Sequence, residues 1–337
     1  ILRFLVSQNL LKINWFFISC TFFTIFVCVD IYFQFIFGKD IFGIQPVTSM
    51  RLSGPFGDEL IAGGYIQRFY IFSLFALFIL NQKKNINRVS IQVLLFLIFI
   101  IGIILSGNRM PFVLFVFSFF LFFIFEEKIR KYFFLILLFF CLTVGTLYQN
   151  NKDFKYNVSN FYYNTKWLVD IFITKKTPLV EGTRYGGKTN RRYYVESKTL
   201  DNWERPYVVE FYHFNKTWKK NPILGGGLRS FRVNCYNCNS HPHNYYFEIL
   251  NDLGLLGFII MAVLLFGILY KLFIKINIFN LKDNSSKNIL PFFIIFLCEF
   301  FPIRTSGSFF STNNATFIFI ILALLISLME KEEKKLI

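Results

Sequence analysis

Apolar runs of sixteen or more residues recur along this chain with only short polar punctuation between them, and no other feature limits its fold so strongly. A helix of roughly 17 to 25 apolar residues crosses the hydrocarbon of a bilayer. Inside hydrocarbon every backbone N–H and C=O must pair within the chain, so helices are the natural product of such runs. The expected fold is all-α, a polytopic transmembrane bundle of about eight spans: Asn14–Phe37, Tyr65–Leu80, Ile91–Ser106, Met110–Phe125, Tyr132–Tyr148, Leu255–Ile276, Ile289–Pro302 and Ala315–Met329. A composition that is 55% apolar, with 49 phenylalanines in 337 residues, fits that class.

Basic residues orient the bundle. Lys83, Lys84 and Arg88, then Lys128, Arg130 and Lys131, then Lys271, Lys275, Lys282 and Lys287 fall in alternate connections, which marks those loops and the C-terminal "EKEEKKLI" as cytoplasmic. The connections Gly38–Gly64, Ser106–Arg109, Gln149–Asn244 and Ile303–Asn314 then face outward. The chain divides into residues 1–148 with five spans, a large, partly helical outer loop over 149–244, and residues 245–337 with an interfacial helix and three spans. The outer loop holds sixteen Lys or Arg against seven Asp or Glu between Gln149 and Pro242. Long translocated loops escape the positive-inside rule, so this excess calls for an anionic ligand or lipid headgroups.

A net charge of +16 would point to nucleic acid in a soluble protein. In a bilayer protein the charge follows topology, and no nucleic-acid partner is expected. Cys20, Cys28, Cys141 and Cys298 lie in apolar runs as small hydrophobes. Cys235 and Cys238, followed by His241 and His243, have a spacing cramped for zinc, and a disulfide or free thiols fit an outer compartment better. The first residue is Ile1 rather than methionine, which raises the expectation that the true start of the chain is missing.

The chemistry-bearing residues gather where the outer loop meets an apolar run, in "SHPHNYYFEIL" at Ser240–Leu250. Ser240 reads as the cap of a short amphipathic helix with Pro242 and His243 in its first turn. Asn244, Glu248 and Asn251 or Asp252 recur on one face, and Gly254 interrupts the helix before the next span. Free N–H groups at such a helix start favour an anion and a neutral imidazole able to accept a proton. His243 acting only as a cap, or binding headgroups, is the plainer alternative. Upstream, "NPILGGGLRSF" at Asn221–Phe231 offers Gly225 to Gly227 as a turn where backbone can approach a ligand closely.

These two stretches together, "NPILGGGLRSF" and "HPHNYYFEILNDLGLLG", resemble the signature of the O-antigen ligase and O-antigen polymerase superfamily of bacterial membrane glycosyltransferases. "RLSGPFGDELIAGGYI" at Arg51–Ile66 is similar to the family's first outer loop, and "SGNRMP" to its Ser-Arg turn. The resemblance implies transfer of a glycan from an undecaprenyl-pyrophosphate carrier to an acceptor hydroxyl, on another carrier-linked glycan or on lipid A core. That reaction belongs to the outer, periplasmic face of the bacterial inner membrane. It also implies that Arg109 holds the pyrophosphate, with Arg51 as a second candidate. Arg205 is the arginine before the Asn-Pro turn, with Arg191 and Arg192 competing, and His243 is the base or acceptor-orienting group with Asn244 beside it. Gly225, Gly227 and Glu248 complete the expected substrate contacts.

Guanidinium groups suit a departing pyrophosphate because they carry permanent charge and bond two oxygens at once. No Asp-x-Asp pair of the kind that holds a divalent ion for nucleotide-sugar donors occurs, so no cofactor or catalytic metal is expected. A lipid-linked oligosaccharide flippase is the alternative; it would place charges inside spans, where Asp30 and Glu299 are the candidates, and would show internal repeats.

Overall fold

A computed structural model describes residues 2–8, 10–48, 51–80, 88–169, 206–234, 241–280, 288–305 and 307–336. In chain order its α-helices are α1 (Leu2–Ser7), α2 (Ile13–Phe37), α3 (Ala62–Leu80), α4 (Arg88–Leu105), α5 (Arg109–Phe125), α6 (Glu127–Arg130) and α7 (Phe133–Asn150). They continue with α8 (Lys152–Val169), α9 (Pro206–Trp218), α10 (Ser230–Asn234), α11 (Tyr245–Tyr270), α12 (Ile289–Glu299) and α13 (Thr312–Leu336). No strand occurs among the described residues, where Thr48 and Arg51 form an isolated bridge.

Every expected span falls on one of these helices, yet fewer have the length and apolarity to cross a bilayer by themselves. Ile13–Phe37, Tyr245–Lys275 and Thr312–Lys334 do, and Phe134–Asn150 with Lys152–Ser159 adds a fourth if that pair, bent by 112°, is one span. Val89–Leu105, Arg109–Phe125 and Ile289–Glu299 are apolar but shorter.

The chain separates into two compact units. The first comprises Ile1–Tyr162, Leu272–Glu299 and Ile320–Ile337. Its centre is α2, α3 and α4, with α5 and α12 packed on them. Phenylalanine fills it: Phe72 meets Phe292 at 5.1 Å and Phe16 at 5.0 Å, Phe96 stacks on Phe119 at 3.8 Å, and Tyr70 lies 4.1 Å from Phe115. Gly102 lets α4 approach α2 closely, since a Cβ there would stand 2.7 Å from Cys28 Sγ.

Polar ties cross between helices where hydrocarbon offers no other partner. Tyr70 Oη shares a 2.6 Å hydrogen bond with Ser118 Oγ, and Gln92 Nε2 donates to Leu74 O at 2.9 Å. Arg68 on α3 and Glu299 on α12 form a two-pronged ion pair, Nε to Oε1 at 2.9 Å and an Nη to Oε2 at 3.0 Å, with the Glu299 side chain 1% exposed. Outside, Phe22, Phe134 and Leu138 remain exposed, as lipid-facing side chains would.

The second unit comprises Tyr163–Lys271 and Phe300–Phe319. Phe214 of α9 and Phe231 of α10 are its buried centre, with Trp218, Phe247 and Leu250 packed against them. Phe214 stacks on Phe247 with centroids 4.3 Å apart and planes 16° from parallel. Of the expected 149–244 loop, α8, α9 and α10 are thus helical.

Candidate active site

The glycine turn and the break in α11 interlock. Gly254 leaves helical geometry at φ 65°, ψ −165°, which opens the hydrogen-bond ladder of α11 on both sides. The turn after α9 closes it: Leu255 N donates to Pro222 O at 2.9 Å and Leu256 N to Ile223 O at 3.1 Å. In return Gly226 N donates to Asn251 O at 2.8 Å and Gly227 N to Asp252 O at 3.0 Å. A Cβ on Gly225 would stand 2.5 Å from Asp252 O, and one on Gly254 would stand 2.4 Å from Gly225 N. Glycine is required at both because two backbones touch. The donors that a phosphate-binding turn would offer are here directed at α11, and Gly225 N itself donates to Asn221 O.

Asp252, 2% exposed, completes the joint. Its carboxylate accepts from Arg229 N at 2.7 Å and from Ser230 N and Oγ at 3.1 and 2.9 Å, at the start of α10. Thr217 of α9 adds a hydroxyl bond to Asn251 Oδ1 at 2.8 Å. The acidic, leucine-rich helix and the Asn-Pro-glycine turn are therefore two halves of one structure.

The helix with the histidine start differs from expectation. Asn244, not Ser240, is the cap of α11; Ser240 lies outside the described residues. Asn244 is extended at φ −145° and its Oδ1 accepts from Tyr246 N at 2.9 Å and Phe247 N at 3.3 Å. His243 consequently stands before the helix, at φ 47°, a conformation uncommon for a residue with a side chain. Two of the helix-start donors expected to be free, Tyr246 N and Phe247 N, are occupied by Asn244. His241 lies against His243 with ring centroids 4.4 Å apart.

The segment after α12 straps this turn. Asn244 Nδ2 donates to Pro302 O at 3.0 Å and to Arg304 O at 3.3 Å, and Tyr246 Oη donates to Phe300 O. Glu248 is buried, accepting from Ser308 Oγ and Phe309 N at 2.5 Å each, and His243 is near enough to act electrostatically on it. Arg304 is buried too, its guanidinium 5.7 Å from the centre of the Tyr245 ring. Both oxygens of Glu248, named from the sequence as a substrate contact, thus hold the strap.

Arg51 and Arg109 belong to the first unit. Arg109 opens α5 directly after the Ser106–Asn108 turn, where Gly107 has φ 63°. Asn108 anchors that turn to the start of α3, donating to Leu60 O at 2.8 Å and accepting from Gly63 N at 3.3 Å. Arg109 is half-buried with its Nε out of water and bonded to no protein atom, while Arg51 is exposed. Arg191, Arg192, Arg205, Cys235 and Cys238 lie outside the described residues.

Sequence reasoning did not single out Arg304, the strap, or the exposed Arg229, which has φ 65°. Arg304 was legible as the one basic residue of the Ile303–Asn314 connection. Its proximity to the histidine turn depends on folding across some sixty positions, as the Asn244–Arg304 bond shows.

The O-antigen ligase family model matches residues 94–262, half of the chain. The chain belongs to the O-antigen ligase family. The match contains Arg109, the glycine turn, His243 and the break at Gly254, so the interlocked turn and helix lie in its family-defining portion. No match was found among curated proteins or among solved structures. Membrane-spanning helices and this family together make the chain a multi-pass membrane protein with O-antigen ligase or polymerase-like function.

Proposed function

We propose that this O-antigen ligase family member is a membrane glycosyltransferase. It takes a glycan from undecaprenyl pyrophosphate and passes it to an acceptor hydroxyl, on a second carrier-linked glycan or on lipid A core, at the periplasmic face of the bacterial inner membrane. The acceptor oxygen bonds to the anomeric carbon as the bond from that carbon to the pyrophosphate oxygen breaks. The acceptor proton passes to His243, and the carrier leaves as the pyrophosphate.

The observation that carries the reading is His243 itself, held outside α11 in a left-handed backbone conformation by the Asn244 cap and the strap. Strained backbone clusters at active sites, and here it falls on a side chain able to accept a proton. Arg109, with a buried Nε bonded to no protein atom, meets the negative charge that grows on the leaving pyrophosphate. Arg51, Arg191 and Arg205 contribute to donor binding. Gly225 and Gly227 shape the turn, and Asn244 and Glu248 fix the acceptor side. The transfer uses guanidinium groups for charge neutralisation and needs no catalytic metal.

Complementation of surface-polysaccharide display tests the assignment. Arg109→Ala and His243→Ala are expected to reach the membrane, abolish polymer transfer and leave carrier-linked precursor accumulating on the periplasmic side. Display at the wild-type level from both variants would remove the proposed site. Precursor trapped on the cytoplasmic side would favour a flippase. A null strain that still carries single-repeat glycan on lipid A indicates a polymerase, and one with none indicates a ligase.

A further inference from the structure

We propose that Asp30 and Asp40 hold a hard divalent cation, of the calcium or magnesium class, beneath the loop that follows α2. Asp30 is 0% exposed and Asp40 is 1% exposed. One oxygen of each accepts a backbone N–H: Asp30 Oδ1 from Ile41 N at 2.7 Å, and Asp40 Oδ1 from Ile44 N at 2.6 Å. The second oxygen of each, Oδ2, is buried and bonded to no protein atom. Because Ile41 is seated on Asp30, its neighbour Asp40 is brought close, and the two carboxylates act on each other electrostatically.

Two further buried side chains share this patch. Gln34 lies one turn beyond Asp30 on the same face of α2, and it is 1% exposed. Its Oε1 accepts from Gly54 N at 2.9 Å while its Nε2 is without a protein partner. Ser53 is 0% exposed, and its Oγ is likewise without one. Gly54 lies flat on α2, where a Cβ would stand 3.1 Å from Ile31 Cγ1, so Ser53 is delivered to the face that carries Asp30 and Gln34. Four buried polar side chains thus each present an unpaired atom at one end of one helix.

Charge decides what belongs there. Two carboxylates removed from water are strongly unfavourable unless paired, and among the described residues neither has an ion-pair partner. Water would satisfy the free lone pairs and leave the repulsion. A hard cation neutralises both charges through oxygen ligands; magnesium in particular keeps several waters while bound by one or two carboxylates, whereas calcium gathers more oxygens. The Ser53 hydroxyl is suited to accept a hydrogen bond from one of those waters, while the free Gln34 Nε2 is a donor that can turn only to a carboxylate or water oxygen. The bound ion would tie the loop to α2.

The test uses the full chain purified in detergent, stripped with a chelator, and then titrated with calcium or magnesium chloride. Expected are one retained ion per chain after gel filtration and a melting temperature that rises with cation concentration; the cation with the larger rise identifies the preferred ion. Asp30→Asn and Asp40→Asn keep the oxygens that accept from Ile41 and Ile44 and are expected to abolish both readouts, while Asp153→Asn keeps them. No retained ion and no rise with either salt in the wild type overturns the proposal, whether or not the variants fold. So does an undiminished response in both variants. A wild type indifferent to cations, with variants more stable than it, would mean that the carboxylates share a proton instead.

Discussion

Replacing Gly254 by alanine puts a methyl carbon 2.3 Å from Ile223 O and 2.4 Å from Gly225 N. Both neighbours are backbone, so no rotamer change relieves the overlap, and the turn must separate from α11. Separation breaks the four bonds that join them, Leu255 N to Pro222 O, Leu256 N to Ile223 O, Gly226 N to Asn251 O and Gly227 N to Asp252 O. At about 1 kcal/mol for each bond, with about 1 kcal/mol more for a side chain at positive φ, the loss comes to about 5 kcal/mol.

Gly225→Ala is expected to match it, since its Cβ would meet the same joint from the other side. The double variant should cost little more than either single, because one substitution already opens the interface. Two controls set the scale. Gly227 has φ 88° with nothing near its Cβ position, so its alanine variant should lose only about 1 kcal/mol. Gly145, inside α7 with open space around it, should gain up to about 1 kcal/mol as alanine. Thermal unfolding of the detergent-solubilised variants, with membrane accumulation measured alongside, ranks the four single variants and the double. The interlock is refuted if Gly254→Ala melts no lower than Gly227→Ala, or if the Gly225 and Gly254 effects simply add.

Three further outcomes follow from the geometry. Arg68→Met or Glu299→Gln strands one member of the buried pair and should each destabilise by about 3 kcal/mol, with the double variant recovering part of the loss in the same melting assay. Asn244→Ala removes a helix cap and should cost about 1 kcal/mol, whereas Asn244→Asp keeps the cap but loses the donors to Pro302 O and Arg304 O. If those bonds position His243, the aspartate variant loses polymer display although its cap is intact, and it melts below the wild type because a carboxylate oxygen then faces two carbonyl oxygens. Burial first, and the charge of Lys216 second, hold the His213 pKa below its ordinary 6.5. The unfolded chain therefore takes up this proton first as pH falls, so stability present above pH 6.5 declines as pH drops toward the lower folded value, and His213→Gln should flatten that part of a melting-temperature profile.

The correspondence between runs and helices is close: Asn14–Phe37 became Ile13–Phe37, and Met110–Phe125 became Arg109–Phe125. The break at Gly254 was also visible, because a glycine between an acidic turn and an apolar run has few other uses. Ser240 and Asn244 both have side chains suited to cap a helix, so the local sequence does not choose between them. What selects Asn244 is that its amide also reaches the carbonyls of Pro302 and Arg304, partners that no local pattern reveals. The glycine turn looks open to a ligand in sequence for the same reason: its donors are free until α11 is laid against it.

What the residues determined unaided is the helical, bilayer-spanning character of the chain and its family, since hydrocarbon forces each apolar run to satisfy its own backbone locally and the two motifs are contiguous stretches. Only the tertiary structure decided which polar groups are occupied and which remain open. The oxygens of Glu248 and Asp252 and the donors of Gly226 and Gly227 are taken by segments distant in sequence, while Asp30, Asp40 and Arg109 keep buried atoms bonded to no protein group. The physical reason is that a hydrogen bond across the fold depends on where two backbones meet, and that meeting is set by packing over the whole unit rather than by any one stretch of residues.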